Sequence, residues 1–388
     1  MIGQSRRLAA VQTPVIPIVS RWIAETPGTI SLGQGIVSYG PPEEAIAAAR
    51  AFGGAAEDHR YGPVEGLPPL LAAIETKLAR ENRIAVRPHS RVVVTAGGNL
   101  AFMNAVLAIA DPGDEIVLPV PYYFNHEMAI VMADVRVVTA PTTERYQLDV
   151  DAIARALTPR TRAVVTVSPN NPTGAVYPEA DLRAVNALCA ARGVFHIHDE
   201  AYEYFTYDET APVSPGASDG ASAHTISLYS LSKAYGMASW RLGYMVIPES
   251  LWEAVNKIQD TLLICAPAVS QHAALAAIGR GRAHAAAHLP ALARLRREVV
   301  RTLGGPGRAW ELPPAGGAFY VFLRVHTTLD ALRVTERLIR EHRVAVIPGS
   351  AFGSTAGCYL RVSYGALDEA TAAEGLSRLA RGLTALAG

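Results

Sequence analysis

The chain has 388 residues, with 35 Lys and Arg against 35 Asp and Glu, so its formal charge is zero. Half of the residues are hydrophobic and 18% are charged, where an average soluble protein carries roughly 25%. A neutral chain lacks the basic footprint that nucleic acid or an anionic membrane surface requires, and so much apolar surface argues against disorder.

At roughly 150 residues per domain, the length predicts two or three domains. The shortage of charge points to an oligomer, because part of the apolar excess is free to sit in an interface. The first residues, MIGQSRRLAAVQTPVIPIVS, superficially resemble a signal peptide, with Arg6 and Arg7 ahead of an apolar stretch. Gln12, Pro14 and Pro17 interrupt that stretch and no A-x-A site follows, so secretion is not expected. No run reaches the ~18 apolar residues of a membrane-spanning helix. Cys189, Cys265 and Cys358 are scattered and form no C-x-x-C, which suits a reducing compartment and a cytoplasmic location.

Short Val- and Ile-rich runs, apolar on both faces, predict strands at Arg91–Thr95, Glu115–Leu118, Val135–Thr139, Ala163–Ser168, Val194–His198, Thr225–Tyr229 and Gly243–Ile247. Helical stretches lie between most of them, at Asn99–Ala110, Tyr123–Ala133 and Pro178–Arg192. This alternation predicts an α/β fold with a mostly parallel, helix-covered sheet. After about Gly281 the texture changes to an α+β module. It reads as a long helix Ala283–Leu303, strand-like Ala318–Leu323, a helix near Leu329–His342, strand-like Val344–Ile347 and Cys358–Ser363, and a final helix. The expected division is a large domain over 45–285 and a smaller one made of 1–44 with 286–388.

The densest chemical signal is Ser230-Leu231-Ser232-Lys233-Ala234-Tyr235-Gly236-Met237, continuing to Trp240-Arg241-Leu242-Gly243. A lysine at a strand end can form an imine with an aldehyde cofactor, and the two serines with Arg241 can hold a phosphate. Taken alone, Lys233 reads better as a solvated loop lysine. Upstream, Ser168-Pro169-Asn170-Asn171-Pro172-Thr173-Gly174 is a turn on any reading. In His198-Asp199-Glu200-Ala201-Tyr202, Asp199 falls where an apolar strand emerges, a usual place for ligand contacts, with a helix cap as the plain alternative. Thr95-Ala96-Gly97-Gly98-Asn99 is a strand, a Gly-rich turn and a helix start, whose N–H groups suit a phosphate but which many βα turns share.

In conjunction, S-x-S-K-x-x-G-x-x-x-W-R-x-G, N-N-P-T-G and D-E-x-Y resemble the fold type I aminotransferases that depend on pyridoxal 5′-phosphate (PLP), from Gly33 to Ser363. The resemblance implies that fold: a large domain with a mostly parallel seven-stranded sheet, and a smaller α+β domain. It implies that Lys233 is the Schiff-base lysine and the base of the proton shift. Asp199 would pair with the pyridine nitrogen, making the ring an electron sink. Tyr202 and Asn171 would bond the ring hydroxyl. Ser230, Ser232, Arg241 and the backbone of Gly98 and Asn99 would hold the phosphate, and Tyr123 would stack on the ring. Arg361 would clamp the substrate α-carboxylate, with the Gly35 backbone and Asn171 beside it; the plain reading of Arg361 is an edge-strand ion pair. Tyr61, in Tyr61-Gly62-Pro63-Val64-Glu65-Gly66, would reach the cofactor phosphate of a neighbouring subunit, implying a homodimer with shared active sites. No metal site is expected: His284 and His288, four apart, read as residues of an exposed helix.

The resemblance implies an amino acid and a 2-oxo acid as substrates. Ile36-Val37-Ser38-Tyr39 and Tyr122-Tyr123-Phe124-Asn125-His126, treated as a loop, hold no Lys or Arg. A desolvated side-chain carboxylate without a cation is costly, so the reading favours an uncharged amino acid, aromatic, methionine- or glutamine-like. Aspartate is the alternative, with Arg60 a cation that could serve across a dimer. Other PLP enzymes of the same scaffold, such as a carbon–sulfur lyase, a cyclopropane-forming synthase or an oxidase, would keep the same cofactor residues. A PLP-sensing transcription regulator would need a DNA-binding domain, and only about 30 residues precede Ser31. The jobs of His126 and His198 are not readable.

Overall fold

Runs that are apolar on both faces can only be buried by helices above and below them, and that is the architecture the chain adopts. The computed structural model describes residues 3–208 and 211–386. After a short strand β1 (Ile30–Ser31) come β2 (Ser90–Thr95), β3 (Glu115–Val120), β4 (Arg136–Pro141), β5 (Thr161–Val167), β6 (Phe195–Asp199), β7 (Thr225–Ser230) and β8 (Gly243–Pro248). Strands β2 to β8 form one sheet in the order β2-β8-β7-β6-β5-β3-β4. Within it β8 alone runs against its neighbours. All seven expected strands are present. One face packs Phe102, Ile130 and Val255 against Val93, Ile116 and Ile197, and the other packs Leu182 and Val185 against Val117 and Val164.

A four-stranded antiparallel sheet follows, in the order β12-β13-β10-β9, from β9 (Trp310–Glu311), β10 (Tyr320–Val325), β12 (Ile347–Pro348) and β13 (Cys358–Ser363). Strand β11 (Val344–Ala345) instead pairs in parallel with β1. The expected strand Val344–Ile347 is therefore two pieces, because the chain leaves β1 and joins β13 within three residues. The expected strand from Ala318 begins at Tyr320, since Ala318 adopts φ +52° and cannot continue a ladder. The N-terminal segment forms the helices Arg6–Ala10 and Val15–Glu25. Val15, Val19, Trp22 and Ile23 pack with Ile339, Ile347 and Phe352. Among the described residues no helix is long and apolar enough to cross a membrane.

One charged cluster is buried beneath the sheet's carboxyl edge. Lys77 Nζ donates to both oxygens of Glu203 at 2.6 Å and to Asn82 at 2.8 Å, and lies 4.6 Å over the Tyr229 ring. Glu200 accepts from Tyr229 at 2.8 Å and from Ser214 at 2.5 Å. One ammonium thus faces two buried carboxyls. Burial, then the neighbouring Glu203, raises the Glu200 carboxyl to about 8. A raised carboxyl holds its proton in the folded state, so its contribution is full below the unfolded value near 4.5 and is lost as pH rises through 8. Lys77→Met is expected to destabilise the protein by about 3–5 kcal/mol, because it strands a buried carboxylate. Glu200→Gln, which mimics the protonated acid, is expected to gain stability relative to the parent as pH rises from 5.5 to 8.5. Unfolding midpoints in urea across that range check both.

Candidate active site

Loops that follow parallel strands converge at one edge of such a sheet, and there this chain collects its reactive side chains. Asp199 ends β6 and Ser230 ends β7, while Gly97, Tyr123 and Asn171 follow β2, β3 and β5. Asp199, Ser230, Tyr123 and Asn171 line a cavity of about 410 Å³ with Gly98, Asn99, Tyr202, Ser232, Lys233 and Arg241. Every residue expected to hold the cofactor is therefore gathered here except Tyr61, which is 82% exposed and lines no part of it.

The helix Gly98–Ile109 presents its free N–H groups to this cavity, with Ser230 and Arg241 also lining it, a set that suits a phosphate. Gly97 adopts φ +85°, which favours glycine, and a Cβ there would stand 2.5 Å from Arg241 Nη2, so a larger residue would push the guanidinium aside. In the same cavity Asp199 Oδ2 lies 3.2 Å from His126 Nε2, and Oδ1 accepts from the Ala201 N–H at 2.9 Å. No helix follows Asp199, which removes the cap reading. His126 stacks on Phe102 with ring centroids 4.0 Å apart. It belongs to a helix, Phe124–Met132, so the segment read as a loop is largely its first turn.

A second cavity, about 290 Å³, adjoins the first and shares Tyr123, Asn171, Tyr202 and Lys233 with it. Arg361 and Gly35 line it. Strand β13 lies inside its sheet, and Arg361 is 3% exposed with no carboxylate partner, so it is not an edge-strand ion pair. Its guanidinium donates to Asn171 Oδ1 at 3.0 Å and to the Gly33 carbonyl at 2.7 Å, and its Nε has no partner. Asn171 donates to the Tyr202 hydroxyl at 3.1 Å, which lies 2.9 Å from that of Tyr320. Lys233 Nζ donates to the Gly35 carbonyl at 2.6 Å. Burial first, then Arg361 and Arg241, lower its amine from 10.5 to about 8.

Sequence reasoning did not find the rest of this second cavity. Ile16, Val19, Ser20 and Ile23 come from the N-terminal helix, and Tyr320 and Ile347 from the four-stranded sheet. The stripe Val15, Ile16, Val19, Trp22 and Ile23 has helical spacing, the one signal that could have found the helix. His198 lies elsewhere, on the buried face with His196, both 2.7 Å from Thr166 Oγ1. Burial lowers it to about 4, so it is neutral there. His284 and His288 are not exposed as expected: half-buried, they pack on Tyr39.

The profile of the family "Aminotransferase class I and II" matches residues 27–379. An aromatic aminotransferase of Arabidopsis thaliana is 35% identical over 391 aligned positions, covering 98% of this chain and 96% of that protein. An aspartate/prephenate aminotransferase of Thermus thermophilus is 33% identical, covering 98% and 99%. The structure of Thermus thermophilus aspartate aminotransferase with maleate superposes with a TM-score of 0.90 at 32% identity, covering 98% and 100%. This chain belongs to the class I and II aminotransferases, and is a fold type I, PLP-dependent transaminase. Its residues fit the cofactor: one cavity brings together the free N–H groups of a helix start beside Ser230 and Arg241, a carboxylate held by His126, and an amine with a lowered pKa.

An amine reacts with electrophiles only when neutral. Labelling of Lys233 in the apoenzyme by acetic anhydride is expected to rise with pH through about 8, not 10.5. Arg361→Met removes a repelling charge and should move that midpoint upward, read by peptide mass spectrometry across a pH series.

Proposed function

We propose that the substrate is an uncharged L-amino acid, aromatic or methionine- or glutamine-like, whose amino group passes to a 2-oxo acid. The observation that carries this reading is the wall of the second cavity. Ile16, Val19, Ile23, Ile36, Phe124 and Ile347 line it, and among the described residues its only cations are Lys233 and Arg361. With Arg361 committed to the α-carboxylate, a side-chain carboxylate would be buried against aliphatic groups with no charge partner, a costly placement. Relatives named for aspartate/prephenate keep aspartate as the second reading; it requires a cation from outside this wall, for which Arg60 of a second copy is the candidate.

Bound PLP supplies an aldehyde that takes up the amino group and a ring that accepts electrons from the substrate α-carbon. The protein's part is to bind, orient and move one proton. Lys233, its amine lowered to about 8, would carry the cofactor and then take the proton from the α-carbon. Asp199, held by His126 and the Ala201 N–H, keeps a proton on the ring nitrogen. Asn171 and Tyr202 donate to the ring hydroxyl, Tyr123 stacks on the ring, and Gly98, Asn99, Ser230, Ser232 and Arg241 hold the phosphate. Arg361 grips the substrate carboxylate beside Gly35. The same reading makes the enzyme a homodimer in which exposed Tyr61 reaches the partner's phosphate, and divides the chain into a large domain over 45–285 and a small one from 1–44 and 286–388.

Lys233→Ala should abolish turnover with far-UV circular dichroism unchanged. In single-turnover assays, phenylalanine, methionine or glutamine should exceed aspartate in kcat/KM by about tenfold or more. Aspartate leading by about a hundredfold, near 3 kcal/mol of transition-state binding, would overturn the substrate reading. Sedimentation should give a dimer at assay concentration, and Tyr61→Phe should release cofactor faster without dissociating it.

A further inference from the structure

The segment Gly33–Gly40 touches the lysine turn and the carboxylate clamp at once. Arg361 holds its first carbonyl, at Gly33, and Ser363 Oγ donates to Gln34 O at 2.6 Å. Lys233 Nζ donates to Gly35 O. At the far end, the Tyr39 hydroxyl donates to the Lys233 carbonyl at 3.1 Å and approaches that of Ala234 at 3.4 Å. The backbone of Tyr39 and Gly40 also presses on the turn that follows the lysine. A Cβ at Gly236, φ +62°, would stand 2.5 Å from Tyr39 O and 2.6 Å from the Gly40 carbonyl carbon.

Lys233 sits in a helix of one turn, Leu231–Ala234, too short to fix its own carbonyls. Among the described residues, the only other donors to the Lys233 carbonyl are the N–H groups of Tyr235 and Gly236, local to the same turn. Tyr39 is therefore its one tie to a distant part of the chain. Tyr39 is itself held from the long helix Arg282–Leu303. The His288 ring stacks on it at 3.8 Å and 6° from parallel, the His284 ring meets it edge-on at 5.5 Å, and His284 Nε2 lies 3.1 Å from Gly40 O. Burial pushes the Tyr39 phenol well up, so it remains a donor throughout the working range.

We propose that Tyr39, braced by His288 and His284, is a positioning residue that sets where the Lys233 amine stands relative to cofactor and substrate. This rests on Lys233 carrying the cofactor. The hydroxyl fixes the turn's carbonyl and the stacked ring fixes the hydroxyl, so the amine's position is decided from helix Arg282–Leu303 as well as from the strand end.

The test is a pH titration of the cofactor's visible absorbance in the holoenzyme, with kcat and KM for one amino acid and thermal unfolding beside it. Tyr39→Phe keeps the stack and loses the donor. It should move the titration midpoint by about half a pH unit or more and lower kcat about tenfold, with KM within about twofold. His288→Ala should reproduce part of both changes, and His288→Phe, which retains a ring for the stack, should restore them. A Tyr39→Phe enzyme with parental midpoint and kcat overturns the proposal, whether or not its melting temperature falls. So does a His288→Ala enzyme indistinguishable from the parent. Lys233→Ala separates the two readings: if it keeps a borohydride-reducible band, the role of Lys233 itself is wrong.

Discussion

Lys233 Nζ and the Gly35 carbonyl meet at 2.6 Å across 198 residues of sequence, and the chemistry proposed for Lys233 depends on these two segments being brought together. It requires the carboxyl edge of a parallel sheet to be capped by a segment belonging to another part of the fold. Closing so long a loop is slow and entropically unfavourable, and it persists because both sides are fixed independently. The lysine side is fixed by buried strand β7, and the Gly35 side by β1 pairing with β11 and by Arg361. The amine is thereby taken out of water beside two guanidinium groups, which is why it lies near 8.

Arg361 is the second element on which the site turns. A buried guanidinium without a carboxylate is unfavourable unless its donors are used. Here Asn171, the Gly33 carbonyl and the faces of Tyr320 and Phe352 surround it, and its Nε has no partner among the described residues. The fold holds an unsatisfied charge where an anionic substrate group can complete it. Through Asn171 and Tyr202 the same arginine is three hydrogen bonds from the Tyr320 hydroxyl, so the proposed substrate clamp and cofactor contacts form one connected set.

Behind the site, Asp199 and Tyr202 alternate with Glu200 and Glu203, which point into the buried cluster around Lys77. Successive residues of this turn serve the cavity on one side and the ion cluster on the other. The cluster is costly to bury, and it ties the turn to the helix Pro68–Lys77 and to Asn82, fixing the backbone that carries Asp199.

The seven sheet strands were legible in the sequence because each is apolar on both faces and bounded by turn residues, a pattern set by local chemistry. Lys233, Asp199, Asn171, Tyr202 and Arg241 were legible only through the family resemblance that their motifs carry in conjunction, since each motif alone reads as a turn, a cap or a loop residue. The sequence could not supply what depends on chain segments meeting. The apolar stripe from Val15 to Ile23 has helical spacing, but nothing local says that it walls the second cavity. Ala318 shows no sign of its left-handed backbone, and Val344–Ile347 reads as one strand because its division is imposed by two different partners. His284 and His288 looked like an exposed pair because their ring partner, Tyr39, is remote in sequence. Local periodicity and turn chemistry determined the elements, and the conjunction of motifs pointed to the reactive set; which residues wall the second cavity was decided only by tertiary packing, because that wall is drawn from the N-terminal helix, the sheet edge and the C-terminal strands together.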